Sequence, residues 1–188
     1  HRDFNQREDE MISTLFQDRG GRGTEDLAIR ILQGRGVGGS TVHNTNLCKR
    51  TPEEVLADWR RRFGLDAGDL GASFDAVERM LSVGPLAPTD VNRNNAVFRR
   101  GVEALGWRGG LLLHNRRDCL GSGFCELGCA FDAKQNALKV LVPSAVEAGA
   151  QVYADCRATR IVLERGRVAA VEAELLGANG RARGALTV

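Results

Sequence analysis

A glycine-rich loop constrains this chain more than any other stretch of its sequence. Four glycines fall within residues 34–39, and a polar run with one imidazole and two amides follows at 40–46. Glycine allows turns that a Cβ atom forbids, and it lets the main chain come close to a ligand. An apolar segment (27–32) precedes the loop and a helix start at Pro52 follows it, so the loop lies between ordered elements, where binding loops are usually found. The sequence therefore predicts a ligand-binding loop.

The loop has the glycine spacing of two nucleotide-binding motifs, but it lacks an essential part of each. In the phosphate loop of nucleotide hydrolases a lysine meets the phosphate charge, and Ser40 stands at that position here. The dinucleotide fingerprint G-x-G-x-x-G matches Gly34, Gly36 and Gly39 but needs an apolar helix directly afterwards. Residues 41–46 have no apolar helical face. The third interpretation is a loop whose backbone lies along a flavin.

The pattern Gly-Arg-x-Val-Gly-Gly-Ser-Thr-x-His-Asn at 34–44 resembles the flavin loop of the glucose–methanol–choline (GMC) oxidoreductase family. Further landmarks of that family follow in order: a cysteine segment at 119–129, Ala-Lys-Gln at 133–135, a proline and alanines at 143–150, and the stretch 156–171. The resemblance covers nearly the whole chain. It implies an FAD-dependent enzyme that oxidises an alcohol by hydride transfer to the flavin.

The resemblance also implies a fold class, α/β (α+β), with part of an FAD-binding domain, a helical cap and a β-meander. The expected segments are an FAD-binding segment with the glycine loop at 1–50, a helical substrate-cap segment at 51–118, a cysteine-containing loop and helix at 119–149, and a β-meander returning to the FAD-binding domain at 150–188. The family's amino-terminal dinucleotide fingerprint and carboxy-terminal catalytic residues are missing from the sequence. We therefore expect a piece of a longer enzyme, incomplete at both ends and inactive alone, and assign no catalytic residue.

Hydrophobic periodicity predicts the helices and strands. Helices are expected at 8–16, 52–63, 70–82, 91–105 and 133–148. The apolar residues expected to face inward from the second, third and fourth of these helices include Leu56, Phe63, Phe74, Val77, Phe98 and Leu105. Strands are expected at 109–114, 151–154, 160–163 and 168–175, of which 151–154 and 160–163 form the first pair of the meander. Turns are expected at 164–167 and 178–180.

The resemblance implies which residues contact FAD: Arg35, Gly38, Gly39, Ser40, His43, Asn44, Thr45, Asn46, Leu47 and Ala158. Backbone amides of Gly39 and Ser40 and the side-chain amides of Asn44 and Asn46 would donate to flavin or pyrophosphate oxygens. Ala158 would offer a main-chain contact to the adenine. In several members of the family a histidine at the position of His43 is bonded covalently to the flavin ring. The alternative is a histidine that only lines the flavin or hydrogen-bonds to it.

Three of the five cysteines, Cys119, Cys125 and Cys129, fall within eleven residues. Three thiolates this close could hold an iron–sulfur cluster or, with a fourth ligand, zinc. The spacing resembles the glucose dehydrogenase branch of the family, where it holds a three-iron cluster. Similar segments occur in alcohol- and sterol-oxidising relatives, in which the cysteines would be structural thiols. Both alternatives stay open at this point.

The charge composition limits the classes of molecule that this chain is expected to bind. Lysine plus arginine number 26 against 24 aspartates and glutamates, and the charges are mixed along the chain, so nothing indicates nucleic acid or an anionic membrane. No apolar run is long enough to span a bilayer, and a cytoplasmic location is favoured. The expected partners are a small-molecule alcohol and an unidentified electron acceptor. Two rival functions are a metal-binding or iron–sulfur electron-transfer module built on the three cysteines, and a non-catalytic interaction domain.

Overall fold

The computed structural model describes residues 4–65, 68 and 70–188, and it divides the chain into two compact units. The larger unit ends at Pro143, and the smaller comprises Ser144–Val188. Helices are mixed with antiparallel strands, which confirms the predicted α/β (α+β) fold class. The finer division at residues 50, 118 and 149 stays a prediction.

The larger unit holds helices α1 to α4 and a small antiparallel sheet. The helices are α1 (Glu8–Leu15), α2 (Glu53–Phe63), α3 (Gly71–Met80) and α4 (Arg93–Ala104), and the strands are β1 (Val83–Pro85) and β2 (Leu113–Asn115). In the sheet Gly84 lies opposite His114. The strand predicted at 109–114 is therefore shorter than expected and extends one residue further. Three-residue 3₁₀ helices lie at Gly39–Thr41 and Pro88–Asp90.

Helix α1 supplies the core of the larger unit. Met11 and Leu15 lie four residues apart, so they share one helical face, and both are buried. With Phe16 and Leu127 they form the hydrophobic core cluster. The same segment fixes the start of the glycine loop, because Phe16 pairs with Gly34 and the Leu15 carbonyl accepts a hydrogen bond from the Arg35 amide at 2.7 Å. The core thus positions the loop.

Helices α2, α3 and α4 form where predicted, but most of their apolar side chains are exposed in this chain. Leu56 is buried, whereas Phe63 is 61%, Val77 50% and Phe98 70% exposed. The expectation that these three face inward was wrong, because periodicity shows which side of a helix is apolar and not whether another element packs against it. Among the described residues, no helix is long and apolar enough to cross a membrane.

Gly101 provides a test of this exposed helical region. It lies within α4, and a Cβ atom there would meet no described atom within 4 Å. Alanine restricts the unfolded chain and favours the helix, so Gly101→Ala is expected to raise the free energy of unfolding by about 0.5–1 kcal/mol. Urea denaturation of the two proteins measures this difference. A clear loss of stability would contradict an unobstructed helical position.

The helix predicted from residue 133 begins four residues later. Residues 133–136 are instead buried and extended, because the Gln135 amide donates to the Asn115 carbonyl at 2.8 Å and the Arg117 amide donates to the Ala133 carbonyl at 2.9 Å. The Asn136 side chain then caps a π-helical turn, Ala137–Leu141, by accepting a hydrogen bond from the Lys139 amide at 3.1 Å. Helix α5 (Val142–Glu147) follows. Tertiary pairing has overridden the helical pattern here.

The smaller unit contains the predicted β-meander. Its strands β3 (Cys156–Glu164), β4 (Arg167–Leu176) and β5 (Ala182–Thr187) form one antiparallel sheet in the order β3-β4-β5. Arg165 and Gly166 both have positive φ, as a two-residue hairpin turn requires. The strand predicted at 151–154 was wrong. Residues 160–163 lie within β3 and pair with β4, and Asp155, whose φ is +50°, marks the turn before that strand.

Candidate functional site

The glycine loop combines two tightly packed glycines, Gly34 and Gly38, with two open ones. Gly36, Gly38 and Gly39 have φ values of +135°, +89° and +53°, which disfavour any residue with a side chain. A Cβ at Gly38 would lie 2.8 Å from Val42 Cγ2 and 2.9 Å from Leu138 Cβ. At Gly36 and Gly39 it would meet no described atom within 4 Å. The loop is therefore anchored at Gly38, while its backbone at Gly36 and Gly39 borders open space that a ligand can enter.

The polar side chains after the glycines hold the loop in shape. Ser40 Oγ accepts from the Gly34 amide at 2.9 Å, and Thr41 Oγ1 accepts from the Ala137 amide at 3.1 Å. Asn44 Nδ2 donates to the carbonyls of Ser40 and Thr41 at 3.0 and 2.9 Å. The sequence predicted that the Asn44 amide donates to the cofactor, whereas here it stabilises the turn. The Gly39 amide likewise donates to the Gly36 carbonyl at 3.0 Å.

Asn46 has an unsatisfied polar atom. It is 2% exposed and adopts a φ of +65°. Its Oδ1 atom is the one buried side-chain oxygen or nitrogen in the described part of the chain that lacks a hydrogen-bond partner. A buried acceptor without a partner costs about 1–3 kcal/mol. A ligand that brings an N–H or O–H group to this position would remove that cost, so Asn46 fits a binding role.

His43 is enclosed by the core. It is 6% exposed, and its ring centroid lies 5.4 Å from that of Phe16 and 6.0 Å from that of Phe4. Its Nδ1 atom lies 2.9 Å from the Leu127 carbonyl oxygen. A carbonyl can only accept, so Nδ1 carries a proton and the neutral ring has its lone pair on Nε2. No described residue bonds Nε2. Burial, assisted by the nearby Lys134 charge, lowers the pKa of His43.

This lowered pKa predicts loss of stability in acid. The unfolded chain takes up a proton at His43 below pH about 6.5, before the folded chain does. The contribution of His43 to the free energy of unfolding is therefore complete above that pH, and it declines as the pH falls to the pKa of the folded state. Between pH about 7 and about 5, the free energy of unfolding should decline less steeply in His43→Gln than in the wild type, as measured by denaturation at each pH. An equal decline in both proteins would contradict a buried neutral imidazole at His43. The His114→Gln variant measures the separate contribution of the half-buried His114, whose pKa is also lowered by burial.

Lys134 is the site residue that the sequence analysis missed. It is 2% exposed, and its ammonium donates to the Asn44 carbonyl at 3.0 Å and to the Cys125 carbonyl at 2.6 Å. It thus joins the glycine loop to the cysteine segment. Burial lowers its pKa to about 8. The sequence offered only its place in the Ala-Lys-Gln landmark, because no pattern shows that a lysine will be buried.

A cavity of about 300 Å³ lies beside the loop, and we call it the Lys134 cavity. Its walls include Phe4, Val42, Cys129, Lys134, Asn136 and Leu138. Val42 precedes His43, and Leu138 packs against Gly38, so the cavity borders the anchored part of the glycine loop.

The other predicted cofactor residues occupy different surroundings. Arg35, Thr45 and Leu47 are exposed at the surface of the larger unit. Ala158 is an exposed residue on β3 in the smaller unit. Nine of the ten predicted cofactor residues therefore lie in or directly beside the glycine loop of the larger unit, and Ala158 lies in the smaller unit.

The three predicted metal ligands have separate environments. Cys119 Sγ accepts from the Gly121 amide at 3.4 Å, Cys125 Sγ lies 4.0 Å from Asn46 Nδ2, and Cys129 lines the Lys134 cavity. All five cysteines are free thiols. In the part of the chain that the structure describes, no three His, Cys, Asp or Glu side chains are arranged to hold a metal ion. The iron–sulfur or zinc site stays a prediction that rests on spacing alone.

Comparison with known proteins identifies relatives along most of the chain. An uncharacterised GMC-type oxidoreductase of Sinorhizobium fredii is 31% identical over 81% of this chain and 31% of its own length. Another, from Mycobacterium tuberculosis, is 34% identical over 78% of this chain and 24% of its own length. A long-chain-alcohol oxidase of Arabidopsis thaliana is 26% identical over 82% of this chain and 21% of its own length. The chain thus spans between a fifth and a third of the length of these relatives.

A family match agrees with these relatives. Residues 12–185 match the family described as GMC oxidoreductase, in its FAD-binding domain. The match includes the glycine loop, the cysteine segment and the first two strands of the meander, as the sequence landmarks predicted. The chain therefore belongs to the GMC oxidoreductase family, as an FAD-binding part of a flavoprotein.

Proposed function

We propose that this chain holds FAD against the glycine loop at 34–46, and that the whole enzyme oxidises an alcohol by hydride transfer to the flavin. The observation that carries the proposal is the orphaned Asn46 Oδ1 atom inside the loop that resembles the family's flavin loop. Several relatives bear the name long-chain-alcohol oxidase, which supports an alcohol as the substrate class. Bound FAD would supply the hydride acceptor.

The residues present fit such a cofactor. Asn46 offers a buried acceptor, and the flavin ring carries an N–H donor. The open backbone at Gly36 and Gly39 leaves room for a close approach. Phe16 and Leu127 pack around His43 and keep water from this side of the loop. These residues would bind, orient and shield the cofactor.

A second proposal concerns covalent attachment through His43. A bond to a methyl carbon of the flavin ring needs a neutral imidazole with a free nitrogen. It would replace a methyl C–H bond, so that two protons are released and two electrons pass through the flavin to the enzyme's electron acceptor. Nδ1 is engaged by Leu127, burial favours the neutral ring, and Nε2 is bonded to no described residue. We therefore assign Nε2 as the attachment atom. Acid precipitation of the wild-type holoprotein should bring the yellow colour down with the protein, and His43→Ala should leave it in solution. If the wild type also releases its flavin, the covalent bond is ruled out, while the cofactor site is not.

Anaerobic addition of alcohols tests the proposed reaction. The full-length protein carrying this chain would be mixed with a short primary alcohol, a long-chain primary alcohol, a sugar and a sterol. We expect at least one to bleach the visible flavin band, and oxygen or a quinone to restore it. A flavin that no alcohol bleaches would contradict alcohol oxidation. Protein-bound metal without flavin would favour the alternative, an electron-transfer module on Cys119, Cys125 and Cys129.

A further inference from the structure

The ammonium group of Lys134 has a charge that no group in the described structure neutralises. The side chain is 2% exposed, and no described carboxylate forms an ion pair with it. The nearest acidic residue in sequence, Asp132, pairs with Lys139 at 2.5 Å instead. A buried charge is costly unless it is paired, so a lone buried ammonium calls for a reason.

The hydrogen bonds of Lys134 use only two of the three donors of its ammonium group. An ammonium has three donors, and two of them reach the carbonyls of Asn44 and Cys125. A neutral amide could join the same two carbonyls at a lower desolvation cost. The third donor and the charge are therefore not explained by the link between the two loops.

The surroundings of the ammonium suggest what the missing partner is. Lys134 lines a cavity of about 300 Å³, whose other walls include the apolar side chains of Phe4, Val42 and Leu138 and the polar side chain of Asn136. Two charged residues, Asp132 and Lys139, also line it, and they form an ion pair with each other. Because Asp132 and Lys139 neutralise each other, Lys134 carries the unpaired charge on these walls, and apolar walls beside such a cation fit a planar ring that has one negative edge. A site of this volume also has room for a small ligand.

We propose that the Lys134 cavity binds the negatively charged edge of a planar group, with the Lys134 ammonium as its counter-ion. Two sources share this chemistry. One is the flavin ring, which gains negative charge when it accepts a hydride; this version rests on the proposed function. The other is a small aromatic carboxylate bound as a substrate or effector.

Neutral and charged variants of Lys134 distinguish these sources. Lys134→Gln keeps hydrogen-bond donors without the charge, Lys134→Arg keeps the charge, and Lys49→Met removes the charge of an exposed lysine as a control. In the full-length protein, Lys134→Gln should shift the ratio of oxidised to reduced flavin at least tenfold toward oxidised, about 30 mV for a two-electron couple. Lys134→Arg and Lys49→Met should stay near the wild type.

Titration with benzoate, followed by calorimetry, supplies the second arm. An unchanged flavin potential with benzoate affinity at least tenfold weaker in Lys134→Gln, but not in Lys134→Arg, would assign the site to a carboxylate ligand. If neither the flavin potential nor the benzoate affinity changes, the proposal is overturned. It is also overturned if Lys134→Gln unfolds while Lys134→Arg stays folded, because the charge would then be needed for the stability of the fold. If the wild type holds no flavin, the proposed function fails, and the benzoate arm alone decides this inference.

Discussion

Replacement of Phe16 by alanine is expected to lower the free energy of unfolding by about 3–5 kcal/mol. Phe16 is 2% exposed and packs with Met11, Leu15 and Leu127, so its removal leaves a cavity in the core of the larger unit. The free energy lost includes both the transfer of the ring into water and the unfilled space. Because the Phe16 ring also contacts His43, we expect the variant to bind flavin more weakly as well.

Phe98→Ala is the matched control for this prediction. Phe98 lies on α4 and is 70% exposed, so its truncation should change the free energy of unfolding by no more than about 0.5 kcal/mol. Urea denaturation of the wild type and both variants, measured by circular dichroism, gives the comparison. Similar losses in the two variants would contradict the assignment of the core to α1 and its neighbours.

Replacement of Gly38 by alanine should be the most damaging single change within the loop. A side chain at a φ of +89° costs about 1–3 kcal/mol in backbone strain. The new methyl group would also lie 2.8 Å from Val42 Cγ2, 2.9 Å from Leu138 Cβ and 3.0 Å from the Leu138 amide nitrogen. Because a main-chain atom is among these neighbours, the clash cannot be relieved by rotating one side chain. We expect a loss of at least about 2 kcal/mol together with weaker flavin binding.

Gly106→Ala is the control that measures backbone strain without a steric clash. Gly106 follows α4 with a φ of +66°, and a Cβ atom there would meet no described atom within 4 Å. It should therefore show strain alone, about 1 kcal/mol, and unchanged flavin binding. The measurement is denaturation of each variant and fluorescence titration of each apoprotein with FAD. If Gly38→Ala costs no more than Gly106→Ala, then Gly38 is not the packed anchor of the loop.

Local chemistry made several parts of this structure predictable from the sequence. Helix α1 follows from apolar residues at helical spacing, and the turn between β3 and β4 is indicated by Gly166, which tolerates positive φ. The glycine loop was recognisable because positive φ values and close approach select glycine there. Each of these signals depends on neighbours in sequence.

The parts that sequence failed to predict depend on distant neighbours. Residues 133–136 are extended because Asn115 and Arg117 pair with them, a contact that helical periodicity does not contain. Phe98 is 70% exposed because no element in the described part of the chain covers it. Lys134 became part of the site only when the fold placed the Asn44 and Cys125 carbonyls around its ammonium. His43, by contrast, was predicted as a site residue, but its enclosure by Phe16 and Leu127 was not.

The visible absorption spectrum of the purified full-length protein tests the central claim most directly, because the claim is that the loop at 34–46 holds FAD. We expect a flavin spectrum with about one flavin per chain, as for a single site, and a clear loss of bound flavin in Gly38→Ala but not in Gly106→Ala. A colourless wild-type protein that takes up no added FAD would contradict it.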